Sequence, residues 1–293
     1  MKKFVIVFLI VITASLTGIL VNKASGDTSS KTIRVSNSLE FLEALGSDRI
    51  IVLNPGKYNL SEWDPFFNSK PEQAPRYSNL KDKGKPKLAK GVTWSNEPFD
   101  GGELVLTGIK NLTIRGMSAE KKSEIIVDPR YAFVLKFVKC SNIAIERLTA
   151  GHSEGGYCQG GVFGFTDSSR ITIISTNMYG SGTMGLELSN VSDMKVSLSR
   201  IYECTYGIMD VSAGKNISFD NCIFRDNQEF TMISVSKTKN ISFANCEFIN
   251  NRGDMFFVND TTVSVSDSAF KDNKTETSIK YSNNVSFNNC VFD

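Results

Sequence analysis

The stretch Asn216-Ile-Ser-Phe-Asp-Asn-Cys-Ile-Phe224 recurs as Asn240-Ile-Ser-Phe-Ala-Asn-Cys-Glu-Phe248 and as Asn284-Val-Ser-Phe-Asn-Asn-Cys-Val-Phe292. A degenerate copy, Thr262-Val-Ser-Val-Ser-Asp-Ser-Ala-Phe270, lies between the last two. The same frame extends upstream through Asp193-Met-Lys-Val, Arg170-Ile-Thr-Ile, Asn142-Ile-Ala-Ile and Asn111-Leu-Thr-Ile. The first apolar residue of each copy is Leu112, Ile143, Ile171, Met194, Ile217, Ile241, Val263 and Val285, at successive separations of 31, 28, 23, 23, 24, 22 and 22. A repeat of this period marks a solenoid, and drift in the period marks loop insertions.

Each copy alternates apolar and polar residues with period two, so it is a strand with one buried face. Ile217 and Phe219 point inward, Asn221 makes a one-residue bend, and Cys222 and Phe224 point inward again. Asn tolerates the left-handed conformation such a bend requires. Gly116, Asn245, Asp267 and Asn289 suit the same position, whereas Arg147, Ser175 and Leu198 depart from it.

A second strand precedes each copy. Six residues before each anchor from Ile143 onward stand Phe137, Phe165, Leu188, Val211, Val235, Phe257 and Ile279, and eight before stand Leu135, Phe163, Leu186, Met209, Ile233, Met255 and Thr277. Two apolar columns at constant offset, with no helical pattern between the strands, predict parallel strands stacked coil on coil. One unit cannot bury its column alone. The expected fold is all-β: a right-handed parallel β-helix of about eight coils with a short N-terminal capping helix. Asn37 and Ser38 cap that helix, Leu39 to Leu45 form it and Gly46 stops it.

The remaining organisation follows. Residues 1–26 are a signal peptide or an N-terminal anchor, because Lys2 and Lys3 precede the apolar run Phe4 to Val21. No Cys follows that run, which argues against a lipoprotein anchor. The chain is expected to be exported, secreted or held in the cell envelope, with membrane contact only through this segment. Residues 27–60 form the cap and first strands, 61–100 a long loop excursion holding five of the seven prolines, and 101–293 the coils. The last coil has no visible cover, which leaves association through that uncapped end as an expectation. A formal charge of +2 and the lack of any basic stripe argue against a nucleic-acid partner. The run Lys81 to Lys90 is a solvated loop.

The segment Leu53-Asn-Pro-Gly-Lys-Tyr-Asn-Leu60, followed by the Asn-[Ile/Val]-x-[Ile/Phe] coils, resembles bacterial right-handed β-helix proteins of the pectate-lyase-like superfamily over about residues 30 to 293. The resemblance implies a polysaccharide partner, an acidic one in many members; other members are tailspikes, adhesins or envelope proteins. The paired aspartates and Gly-His-Gly of polygalacturonases are not matched, since the sole histidine stands in Gly151-His152-Ser153-Glu154. Nor are the aspartate cluster and Trp-x-Asp-His of pectate lyases. Activity is therefore not inherited from either.

Seven residues before each anchor lies an outward column: Lys136, Gly164, Glu187, Asp210, Ser234, Phe256 and Ser278. At the ~4.8 Å spacing of adjacent strands, Glu187 and Asp210 are neighbours, and repulsion between them raises one pKa. Such a pair can serve as acid and nucleophile in glycoside hydrolysis, or can hold Ca2+ as the one cofactor in view; the bland reading is two solvated carboxylates beside Lys136. A second candidate is the glycine-rich loop Ala150 to Gly161, in which His152 and Glu154 form an acid–base pair or a tight turn. Lys136, Arg130 and Tyr131 are candidates for substrate binding, and Tyr157 with Trp94 for stacking on sugars. No residue spacing suggests a metal site built from cysteines. Cys222, Cys246 and Cys290 share one inward position, with Ser268 filling the gap, and are read as stacked thiols rather than bridges. Three functions remain open: a lyase or hydrolase, a non-catalytic glycan-binding envelope or adhesion protein, and a structural solenoid.

Overall fold

The computed structural model describes residues 30–72, 76–77, 84–118, 120–153, 160–180 and 182–293. The leading segment 1–26 thus lies outside the described residues. Three sheets run the length of the chain, with ten, nine and eight strands. Sheet A holds all eight repeat anchors, preceded by two further rungs, Lys31–Val35 and Arg49–Leu53. Sheet B begins after the bend in each coil, and sheet C precedes the next anchor. Every pairing is parallel except one, where Val92–Ser95 runs antiparallel to Glu103–Thr107 at the end of sheet C.

The N-terminal helix spans Ser38–Ala44, one residue earlier than its apolar pattern suggests. Asn37 is its cap: the Glu40 amide donates to the Asn37 side chain, and Asn37 Nδ2 donates to the Glu40 carboxylate. Phe41 and Leu42 are fully buried against the first rungs. Residues 61–100 contain short 3₁₀ turns at Leu60–Trp63 and Phe67–Ser69 before the antiparallel strand.

Inside the coil, like stacks on like. Phe219 lies on Phe243 at 4.8 Å, while Phe224, Phe248, Phe270 and Phe292 form a continuous column with centroid separations of 4.9, 4.5 and 5.0 Å. Offset stacking at the rung spacing adds to burial. Among the described cysteines, Cys140, Cys222, Cys246 and Cys290 are free thiols, and the Ser268 hydroxyl at the gap accepts from the Cys246 amide at 3.0 Å. A ladder of buried asparagines not evident in the repeat runs beside the Phe column. Asn227 Nδ2 donates to Asn251 Oδ1 at 2.9 Å, and Asn251 Nδ2 to Asn273 Oδ1 at 3.0 Å.

Three sequence readings are corrected. The left-handed bend is general: Arg147, Ser175 and Leu198 adopt φ of 52°, 51° and 51°, as Asn221 does at 52°. Gly116 is the one that does not; a Cβ there would collide with the Arg147 carbonyl of the next rung, so its glycine admits a close backbone. Phe256 is not outward. Only five residues separate Val258 from Val263, against six from Val235 to Ile241, so the shorter turn shifts that rung by one. Phe256 packs inside against Phe243, Phe248, Phe270 and Phe287, and Phe257 faces solvent. In the last coil Ile279–Tyr281 is a 3₁₀ turn rather than a strand of sheet C, so Thr277, Ser278 and Ile279 leave their columns.

Candidate functional site

The outward column of sheet C is carried by strict register. Val105 pairs with Lys136, Lys136 with Gly164, Gly164 with Glu187, Glu187 with Asp210, and Asp210 with Ser234. The turns that lead from sheet B into sheet C rise beside this column and enclose a cleft of about 760 Å³. Its floor holds Lys136, Glu187 and Asp210; its walls hold Glu97, Phe99, Glu103, Tyr131, Phe133 and Tyr206.

Local packing fixes the walls. The Asp100 carboxylate accepts from the Arg130 amide at 2.6 Å and the Tyr131 amide at 3.2 Å, which ties the excursion to the turn above it. The Phe99 ring meets Tyr131 edge-on at 5.0 Å, and Tyr206 meets Phe230 at 4.7 Å. Gly161 and Gly164 make room for the Phe133 ring, which a Cβ at either position would crowd. Gly161, the last glycine of the predicted loop, therefore serves the packing of an aromatic wall.

Charge is unevenly distributed. Lys136 Nζ lies 2.7 Å from Glu103, which is buried, and 3.2 Å from Glu97. Burial alone would depress the Lys136 pKa, but these two carboxylates outweigh it and hold the ammonium more firmly protonated than usual. Glu187 reaches the solvent of the cleft yet is walled by protein. That desolvation, followed by the Asp210 charge, raises its pKa, with Lys136 opposing. Asp210 is also raised by burial, while the Ser234 hydroxyl and the Val211 amide favour its ionised form. The two carboxyls thus sit in unequal surroundings.

Of the sequence candidates, Lys136, Tyr131, Glu187 and Asp210 come together here. Arg130 is exposed and is not among the lining residues. His152 ends the strand Thr149–His152 and turns into the interior, where its Nε2 donates to the Ala132 carbonyl at 2.9 Å. Burial lowers its pKa and keeps the ring neutral. Glu154 and Tyr157 lie outside the described residues. Trp94 lines a separate cavity beside Trp63 and Tyr77. Sequence reading missed Glu97, Glu103 and Tyr206. Glu103 was accessible by period two, since it precedes the outward Val105 by two residues; the long first coil hid that column's start. No group of three or more His, Cys, Asp or Glu side chains among the described residues is placed to hold a metal ion. None of their helices is long and apolar enough to cross a membrane.

Comparison with solved structures returns the same architecture. A polygalacturonase from Erwinia carotovora ssp. carotovora superposes with a TM-score of 0.55 at 12% identity, over 92% of this chain and 84% of that one. A pectate lyase from Bacillus sp. N165, solved in complex with trigalacturonate, gives 0.50 at 11% identity over 93% and 85%. This chain spans 62% of the length of a rhamnogalacturonan lyase that it also matches, at 10% identity and a TM-score of 0.49. At these identities the likeness establishes the fold. No curated protein sequence matches. The model of the family described as "right handed beta helix region" matches residues 99–230 and 137–292, two thirds of the chain, and this protein belongs to that family.

Proposed function

We propose that the protein acts on a polysaccharide and hydrolyses a glycosidic bond in the sheet C cleft. The observation that carries this reading is the register pair Glu187 and Asp210 in a cleft with aromatic walls. Adjacent strands stand ~4.8 Å apart, close to the roughly 5 Å between the carboxyls of retaining glycosidases. Glu187, whose pKa is raised by desolvation and by Asp210, is the general acid that protonates the leaving oxygen. Asp210, whose ionised form the Ser234 hydroxyl and Val211 amide favour, is the nucleophile that attacks the anomeric carbon. Glu187, then deprotonated, draws a proton from the water that releases the sugar. Rings of Tyr131 and Tyr206 supply apolar platforms for sugar faces. A lyase that neutralises a uronate carboxylate with a side chain needs an unpaired cation, and Lys136 is already clamped by Glu103 and Glu97, which favours hydrolysis over that route.

The test is a reducing-end assay, with absorbance at 235 nm followed in parallel, against neutral, acidic and amino polysaccharides, with and without Ca2+. Glu187→Gln and Asp210→Asn are each expected to lower turnover by at least ~10³-fold in protein that still folds. Unsaturated products at 235 nm would replace hydrolysis with elimination. Binding without turnover of any glycan would make the cleft a lectin-like site.

A further inference from the structure

This inference rests on the cleft being a glycan site and concerns the charge of the sugar that fills it. Five acidic or basic side chains are among the described residues that line the cleft: Glu97, Glu103, Glu187, Asp210 and Lys136. Four can be negative and one positive. That one cation is not available to an anionic ligand, because its ammonium is held at 2.7 Å by Glu103 and 3.2 Å by Glu97. Its Nζ also lies 5.8 Å from the centroid of the Phe133 ring. The rings of Phe99, Tyr131 and Tyr206 line the same cleft.

Carboxylates and aromatic rings lining one cleft, with the one lysine among its described lining residues already paired, are surroundings in which a ligand ammonium is stabilised, by charge-assisted hydrogen bonds and by ring quadrupoles. A chain of uronates would bring one carboxylate per sugar into the same space and find no unpaired cation among the lining residues to receive it. We propose that the cleft takes a glycan whose sugars carry free, protonated amino groups, held between the carboxylates of the floor and the tyrosine rings of the walls. This reverses the acidic polysaccharide that the family resemblance suggests.

Isothermal titration of the full chain would compare three hexasaccharides: glucosamine, N-acetylglucosamine and galacturonate, each at low and high salt, the last with and without Ca2+. The expected result is glucosamine oligomer bound at least tenfold more tightly than the N-acetylated one, with affinity falling as salt rises, and no galacturonate binding in either condition. Asp210→Asn should weaken the glucosamine oligomer more than its N-acetylated counterpart. Equal or tighter binding of the N-acetylated oligomer overturns the charge inference and leaves the glycan site standing. So does binding of galacturonate, whether metal-free or only with Ca2+. Failure of all three to bind would overturn the proposed function along with it.

Discussion

The rungs from Asn216 onward and the rungs from Glu103 to Asp210 are built from the same coil, and the cleft of Glu187 and Asp210 lies on the second group. The C-terminal rungs recur every 22 to 24 residues, with Phe on Phe and short corners. The earlier rungs are spaced by up to 31 residues; the longest coil spends its surplus at the corner between sheets A and B, where six residues part Gly116 from Ser123 against two between Asp220 and Ile223, while the excursion before Glu103 and the turn after Val127 carry Phe99, Tyr131 and Phe133 to the cleft. Regularity stabilises this solenoid; departures from it shape the site. A floor residue such as Glu187 is held by a ladder that runs through both regions.

That contrast can be broken by experiment. The largest effect expected is on the regular side. Phe248 touches Phe224, Phe243, Phe256 and Phe270 and is fully buried, so Phe248→Ala should lower the unfolding free energy by about 3–5 kcal/mol in urea titration. A loss below about 1 kcal/mol would mean that the column does not stabilise the coil.

Next is the asparagine ladder. Asn251→Ala leaves the Phe224 carbonyl without its 3.0 Å donor and the Asn227 amide without its acceptor, both inside the coil. A cost of about 2–3 kcal/mol is expected by the same titration, and amide hydrogen exchange should accelerate first at Asn227.

Smaller and of opposite sign is Leu198→Asn. Leu198 is 61% exposed and held at φ 51°, a conformation that leucine disfavours and asparagine accepts. Removing that strain should stabilise the chain by about 0.5–1 kcal/mol. No gain would indicate that the Leu198 side chain covers something the bend needs.

The smallest effect lies in the cleft. Folding raises the Glu187 pKa, so the folded chain favours its protonated form. Stability linked to this group is whole below the unfolded carboxylate pKa of about 4 and is lost as pH rises through the raised value. Glu187→Gln removes that loss. Its melting temperature should exceed that of the parent at pH 7, by about 1 °C because cleft solvent screens the group, and the difference should vanish below about pH 4. A variant less stable at pH 7 would show that the carboxylate is held by a contact that offsets its burial.

How much of this was legible in the chain varies with position. The inward columns, the anchors of sheet A, the capping helix and the Glu187–Asp210 pair follow from counting, because a repeat residue has its neighbours one coil away at nearly constant offset. Counting failed where a corner changed length: one residue lost after Val258 exchanged the roles of Phe256 and Phe257. Arg147, Ser175 and Leu198 escaped it for another reason, since stacking against the rungs on either side imposes the left-handed bend whatever the side chain prefers. The cleft lay beyond counting altogether. Glu97 and Glu103 close on Lys136 from 39 and 33 residues away, and the direction of His152 depends on the Ala132 carbonyl of a neighbouring turn. The ladder follows from the order of residues alone, because alternation and stacking are nearest-neighbour physics. Which turn residues meet above it is settled by long-range packing, because insertions of unequal length have no period and are placed by what they pack against.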